Sequence, residues 1–281
     1  MEELTARRVD AASATVRPLR PAPTPAYLEA RDVTLTYRTK RGLLTALQSL
    51  SLAVGRHEFV SVIGPSGCGK STLLKAISGL LPISAGTIAL GGVPVDGPRP
   101  QVGIVFQAPT LLPWKTVIEN VLVPARAMRL DIARYRDKAT ELLRLVGLEQ
   151  FAANYPHELS GGMQQRVGLA RGLIHDPDIL LMDEPFAALD AITRENMGTE
   201  LQRLWMTTGK SVLFITHHIP EAVFLSDRVI ILSNRPAHVV NEMVVDLPRP
   251  RTLATMADPR FAAMCNDLRV QFQNVDDPGR S

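Results

Sequence analysis

Gly64-Pro65-Ser66-Gly67-Cys68-Gly69-Lys70-Ser71-Thr72 is built to hold phosphate. Its glycines let the backbone wrap closely, so successive N–H groups point at phosphate oxygens. Lys70 is spaced to bridge the β- and γ-phosphates, Ser71 to ligate Mg²⁺, and Thr72 to reach the α-phosphate. Further along, Ile179-Leu180-Leu181-Met182-Asp183-Glu184 puts two carboxylates at the end of an apolar run. Phosphoryl transfer asks a protein mainly for positioning and charge neutralisation. Two carboxylates can divide that work: Asp183 holds Mg²⁺ through water, and Glu184 polarises or orients an attacking water.

Three other places add polar groups. Gln107 follows the apolar run Val102–Phe106, where an uncharged amide can ligand Mg²⁺ or its water. His217 follows Val212–Ile215, where a neutral imidazole could hydrogen-bond the γ-phosphate. Each alone reads more readily as an ordinary strand-end residue. Ser160-Gly161-Gly162, within Leu159–Arg166, opens a helix whose free N–H groups and positive end suit an anion. Alone, it is also a simple N-cap with a glycine turn. A compact domain has no obvious way to aim this second helix start at its own nucleotide, so the run suggests two chains closing on ATP.

The elements that must position these groups are legible in outline. Segment 28–37 alternates as a strand, and Glu58–Ile63 is an apolar run ending at Gly64. Residues 70–78 suit a helix closed by Gly79. Ile179–Met182, Val212–Ile215 and Val229–Leu232 are short and rich in branched residues, as strands buried on both faces of a parallel sheet are. Met163, Val167, Ala170 and Ile174 recur at helical spacing. Met197, Leu201 and Leu204 mark another helix, with Asp190 as N-cap, Gly209 as stop, and Pro220 in the first turn of a later one. From about 108 to 172 helical patterns prevail, including Arg134–Val146 capped by Gly147. We read this as a helical subdomain inserted into an α/β core. Residues 1–26 read as a flexible tail rich in Pro, Ala and Arg, and residues 251–281 as a short C-terminal extension.

The 281 residues are 46% hydrophobic, enough for a substantial core. Only 5% are aromatic, which argues against a stacking surface for nucleic acid. The net charge of +3 permits contact with an anionic surface without demanding it. Two cysteines give no disulfide framework and fit a reducing compartment. The N-terminus lacks an apolar core of signal-peptide type. No run of about 18 apolar residues exists, so a membrane role is expected to come through a partner.

In order, Tyr37, 64–72, Gln107, Leu159–Arg166, Asp183–Glu184, Ala188-Leu189-Asp190 and His217 resemble the ATPase subunit of ABC transporters over about residues 28–250. The run LSGGMQQR is its most specific part. The resemblance implies a P-loop NTPase (RecA-like) core, an antiparallel β edge region and the inserted α-helical subdomain. It implies that Tyr37 stacks on adenine and that Gln107 couples the Mg²⁺ site to the helical subdomain. Ser160 and Gly162, with Gly161, would contact the γ-phosphate bound by a second copy. Glu184 would be the catalytic carboxylate, Asp190 would signal across the dimer, and His217 would be the switch histidine. Two chains would close head to tail over two ATP molecules and drive transmembrane permease subunits from the cytoplasmic face of the inner membrane.

Thr110-Leu111-Leu112-Pro113-Trp114, Val117–Val121, Glu184–Asp190 and Asp246–Arg251 resemble importers of the nitrate, sulfonate and taurine type, which work with a separate solute-binding protein. An exporter ATPase, a soluble ABC ATPase acting on ribosomes or nucleic acid, and a small-molecule kinase are the competing classes. Two positions depart from the family pattern. His218 stands where an aspartate is usual, and His57 where a glycine is common. Cys68, beside a helix N-terminus, is expected to favour thiolate, with alkylation blocking activity.

Overall fold

The computed structural model describes residues 26–40 and 42–276. The expected tail therefore lies outside the described residues except for Ala26. In chain order the elements are β1 (Ala26–Thr39), β2 (Gly42–Gly55), β3 (Phe59–Ile63), α1 (Lys70–Ile77), β4 (Ala85–Leu90), β5 (Val93–Pro94) and β6 (Val102–Val105). Then follow α2 (Val117–Val121), α3 (Val123–Ala127), α4 (Ile132–Leu145), α5 (Gly161–Leu173), β7 (Ile179–Asp183), α6 (Ala191–Thr208) and β8 (Ser211–Ile215). The last described elements are α7 (Ile219–Leu225), β9 (Arg228–Leu232), β10 (Val239–Val244), α8 (Leu253–Met256) and α9 (Pro259–Asp276).

The strands form two sheets. One is antiparallel, in the order β2-β1-β4-β5; the other runs β10-β9-β3-β8-β7-β6 and is parallel apart from β10. Every residue of β3 and β8 is buried, the pattern of strands covered on both faces. Their alternation divides two cores. Val60, Val62, Leu213 and Ile215 face α1 and the antiparallel sheet, through Leu28, Val33, Leu47, Leu73 and Ile77. Phe59, Val212 and Phe214 face the helices of the other layer. There Phe59 meets Trp205 edge-on at 5.9 Å and Phe214 at 5.7 Å between ring centroids.

The antiparallel edge region is more extensive than the one strand read from residues 28–37. Asp32 and Ser49 adopt positive φ, and the β1–β2 register shifts between Ala30 and Val33. Such bulges break the period-2 alternation by which a strand is recognised, and they hid β2.

The helical insert is closed by local chemistry. Thr116 and Glu119 form a reciprocal capping box at α2, and Asp131 caps α4 by accepting from Ala133 N. Buried Asn120 bonds the backbone of Leu112, Lys115 and Thr116 and so fastens the loop before α2. At the other end of the chain, Phe261, Cys265 and Leu268 of α9 join the core beside Val245 and Leu247. The entry to α8 is pinned by Arg251, which is 1% exposed. Its guanidinium donates to the carbonyls of Val223, Phe224 and Ser226 at the end of α7 and to those of Val245 and Leu247.

Candidate functional site

The phosphate loop joins the buried strand β3 to α1. Gly67 and Gly69 have φ of 73° and 133°, where a side chain would be strained. A Cβ at Gly69 would lie 3.1 Å from Ala46 O, and one at Gly64 3.0 Å from Cys68 Sγ. The loop thus needs glycine both for its turns and for its close packing. Lys70 is buried, and its ammonium donates to the loop's own Gly64 O at 2.8 Å and Pro65 O at 2.9 Å. The charge is held inside the curve of the loop, where phosphate oxygens would be met.

Around this loop the parallel sheet delivers the other groups. Ser71 Oγ donates to Asp183 Oδ1 at 3.1 Å. Burial pushes the Asp183 carboxyl above its ordinary range; the Ser71 bond and the Lys75 and Lys70 charges oppose this, while Glu184 adds to it. A hydroxyl beside a half-buried carboxylate is a donor set that suits Mg²⁺. Among the described residues no three His, Cys, Asp or Glu side chains gather as a metal site. These oxygens therefore fit a metal shared with a phosphate ligand.

Glu184 follows the last residue of β7 with φ 44°, a left-handed conformation uncommon for a residue with a side chain. Its N–H donates to Ile215 O at 2.9 Å, continuing the β7–β8 ladder past the turn. Its Oε2 lies 3.0 Å from His217 Nδ1. Tyr37 OH bonds Thr72 Oγ1 at 3.1 Å, which places the Tyr37 ring beside the start of α1. Gln107 is exposed just beyond β6, whose Val105 pairs with Met182 of β7. It therefore leaves the sheet at the same end as Asp183 and Glu184.

Ser160, Gly161, Gly162 and Asp190 belong to a second group. Ser160 Oγ caps α5 by accepting from Met163 N at 3.3 Å, and Asp190 caps α6 by accepting from Thr193 N at 3.0 Å. The two helix starts pack together, since a Cβ at Gly162 would lie 3.1 Å from Thr193 Cγ2. Ser160 and Gly161 are exposed, and a Cβ at Gly161 would meet open space. Among the described residues none of these four hydrogen-bonds to residues 64–72.

Cys68 corrects the sequence reading. It is 2% exposed, and burial pushes its thiol up, against the smaller lowering effect of Lys70 and its backbone. The helix start does not compensate for the lost solvation, so a reactive thiolate is not favoured. His57 has φ 59°, which explains why glycine suits that position; its ring bonds Gly209 O.

Other residues entered the site unannounced. Arg235 reaches back from beyond β9 to donate to Gly67 O. Gln165 donates to Phe106 O at 3.2 Å, and Arg171 to Pro109 O at 2.5 Å and Thr110 O at 3.0 Å. Both lie on α5, so the loop containing Gln107 is fastened to the helix that Ser160 opens. Arg194 and Glu221 form an ion pair at 3.2 Å behind His217. Apart from Gln165, which lies in the run Leu159–Arg166, no local pattern marks these residues, because each partner lies far away in sequence.

A family model described as ABC transporter matches residues 47–187. The taurine import ATP-binding protein TauB of Rhizobium johnstonii is 46% identical over 237 residues, covering 83% of this chain and 90% of that protein. TauB of Burkholderia pseudomallei is 46% identical over 241 residues, covering 84% and 93%. A dimeric ATP-binding cassette in a post-hydrolysis state with ADP and Pi is 33% identical, with a TM-score of 0.69 over 78% of this chain and 99% of that one. With a phosphate loop, paired carboxylates and a glycine-opened helix on this fold, the chain belongs to the ABC transporter family as an ATP-binding, ATP-hydrolysing subunit of the group that includes the taurine import proteins.

Proposed function

We propose that the chain powers an importer of taurine or a similar small solute, working as a head-to-tail pair. The observation that carries this is the division of the site. Lys70, Ser71, Asp183, Glu184 and His217 converge on one side, while Ser160 and Gly161 stand exposed at a helix start with no hydrogen bond to that loop among the described residues. A second copy completes each site.

Residues 64–72 wrap the phosphates, Lys70 meets the β- and γ-phosphates, and Tyr37 stacks on adenine. Ser71, Asp183 and Gln107 hold Mg²⁺, which when bound neutralises phosphate charge. Glu184 orients a water and accepts its proton as the water oxygen bonds the γ-phosphorus and the bond to ADP breaks. His217 holds Glu184 and the γ-phosphate in register. Ser160, Gly161 and Gly162 of the other copy close over that phosphate, and Asp190 lies at the seam. Residues 27–250 act as the cassette, and the helical subdomain at about 108–172 docks on permease subunits that receive solute from a binding protein. No helix of the described residues is long and apolar enough to cross a membrane. The subunit sits peripherally on the cytoplasmic face of the inner membrane through those permease partners, and nucleic acid has no part.

Glu184→Gln tests the reading: it should abolish turnover while ATP still binds and traps a stable dimer. A variant that hydrolyses at the parent rate overturns it. Loss of labelled taurine uptake in a deletion strain, with restoration by the intact gene, tests the solute.

A further inference from the structure

Behind the Glu184–His217 pair lies a cavity of about 30 Å³ lined by Glu184, Ala187, Arg194, Thr216, His217, His218 and Glu221. That volume suits one or two water molecules. Arg194 Nε and His218 Nδ1 are buried there without an aligned hydrogen bond, and both lie close to Glu221 Oε1. Two such atoms at one small polar cavity make Glu221 their shared counter-group, since a buried polar atom left without any polar neighbour is costly.

At its centre is Glu221, whose side chain is 10% exposed. Its Oε2 accepts from Thr216 Oγ1 at 2.6 Å, and Thr216 Oγ1 in turn accepts from His218 N at 3.0 Å. These two bonds bracket His217 and fix the backbone that presents it. Its Oε1 lies 3.2 Å from Arg194 Nε and 3.7 Å from His218 Nδ1. Arg194 also donates to Leu189 O at 2.7 Å, immediately before Asp190. One buried carboxylate thus holds the turn bearing His217 and, through Arg194, the turn bearing Asp190. Burial pushes the Glu221 carboxyl up, while the Thr216 bond, Arg194 and His217 pull it back and Glu184 adds to the rise.

We propose that Glu221 is a positioning residue for hydrolysis, which locks the His217 turn to the start of α6 so that Glu184 and the Asp190 turn keep one geometry. The proposal rests on the roles given to Glu184 and His217. It extends the site from the phosphate side of the sheet to the far side of the switch turn.

The test uses the full chain and steady-state ATP hydrolysis. Thr216→Val removes the bracket with little change of volume, Thr216→Ser keeps the hydroxyl, and Glu221→Gln removes the charge. A displacement of about 1 Å in a reacting group can cost about a hundredfold in rate, so Thr216→Val and Glu221→Gln should each lower kcat about tenfold or more. KM for ATP and the melting temperature should stay near the parent values, and Thr216→Ser should restore kcat. Parent-like kcat in both Thr216→Val and Glu221→Gln overturns the proposal. So does a loss of ATP affinity and melting temperature in step with kcat, which is the mark of a purely structural role. Glu184→Gln is measured alongside. Activity in that variant undoes the role of Glu184, whereas an inactive Glu184→Gln beside fully active Thr216→Val and Glu221→Gln undoes the positioning role alone.

Discussion

Glu184 Oε2 sits 3.0 Å from His217 Nδ1, although the two residues follow different strands, β7 and β8. The parallel pairing of Asp183 with Ile215 brings those strand ends level. The left-handed turn at Glu184 then turns its carboxylate toward the imidazole. His217→Ala should therefore lower kcat by about 10²-fold, the scale of losing one positioned polar group, with ATP affinity little changed. Single-turnover hydrolysis beside equilibrium ATP binding separates the two.

Metal dependence should report on Ser71 and Asp183. Asp183→Asn keeps the shape but removes the charge that burial disfavours in the absence of a cation. Chelation by EDTA should stop turnover in the parent, and Asp183→Asn should need much more Mg²⁺ for half-maximal rate. A Mg²⁺ titration at saturating ATP gives the comparison; an unchanged midpoint removes Asp183 from the metal site.

Cys68 should resist modification. The raised thiol releases its proton only above the ordinary cysteine range, so the thiolate fraction near neutral pH is small and rises with pH. Alkylation of the native chain should be slow near neutrality and speed up on unfolding. Mass spectrometry of labelled peptides, native against denatured, reads this out.

Arg251→Met should destabilise the fold by about 3 kcal/mol or more, because it strips several buried carbonyls of their donor at once. Urea unfolding monitored at Trp205, which packs on Phe59, measures the loss. Arg251→Lys should recover only part of it, since one ammonium cannot span acceptors on both α7 and the β10–α8 segment.

The catalytic strands were readable because their chemistry is local. A glycine loop, a branched apolar run and a terminal carboxylate all fall within a few residues of each other, so Lys70, Ser71, Asp183 and Glu184 stood out. The caps Asp190 and Gly209 were legible for the same reason, and the structure places both at helix ends. Glu221, Arg194, Arg171 and Arg235 were not, since each gains meaning only when the sheet folds distant segments together. β2 was hidden by bulges, and the thiol of Cys68 was misread because a helix start is visible in sequence while burial is not.

The bonds from Gln165 and Arg171 to the Phe106–Thr110 loop have a consequence for how occupancy is counted. On the proposed head-to-tail pairing, the loop beside a chain's own nucleotide is bolted to the helix that the chain would lend to its neighbour. Filling one site should then bias the other. Two such subunits should not titrate as independent binders: their ATP saturation curve should be steeper than a single-site isotherm, and cutting the bolt with Arg171→Met should flatten it without touching either phosphate.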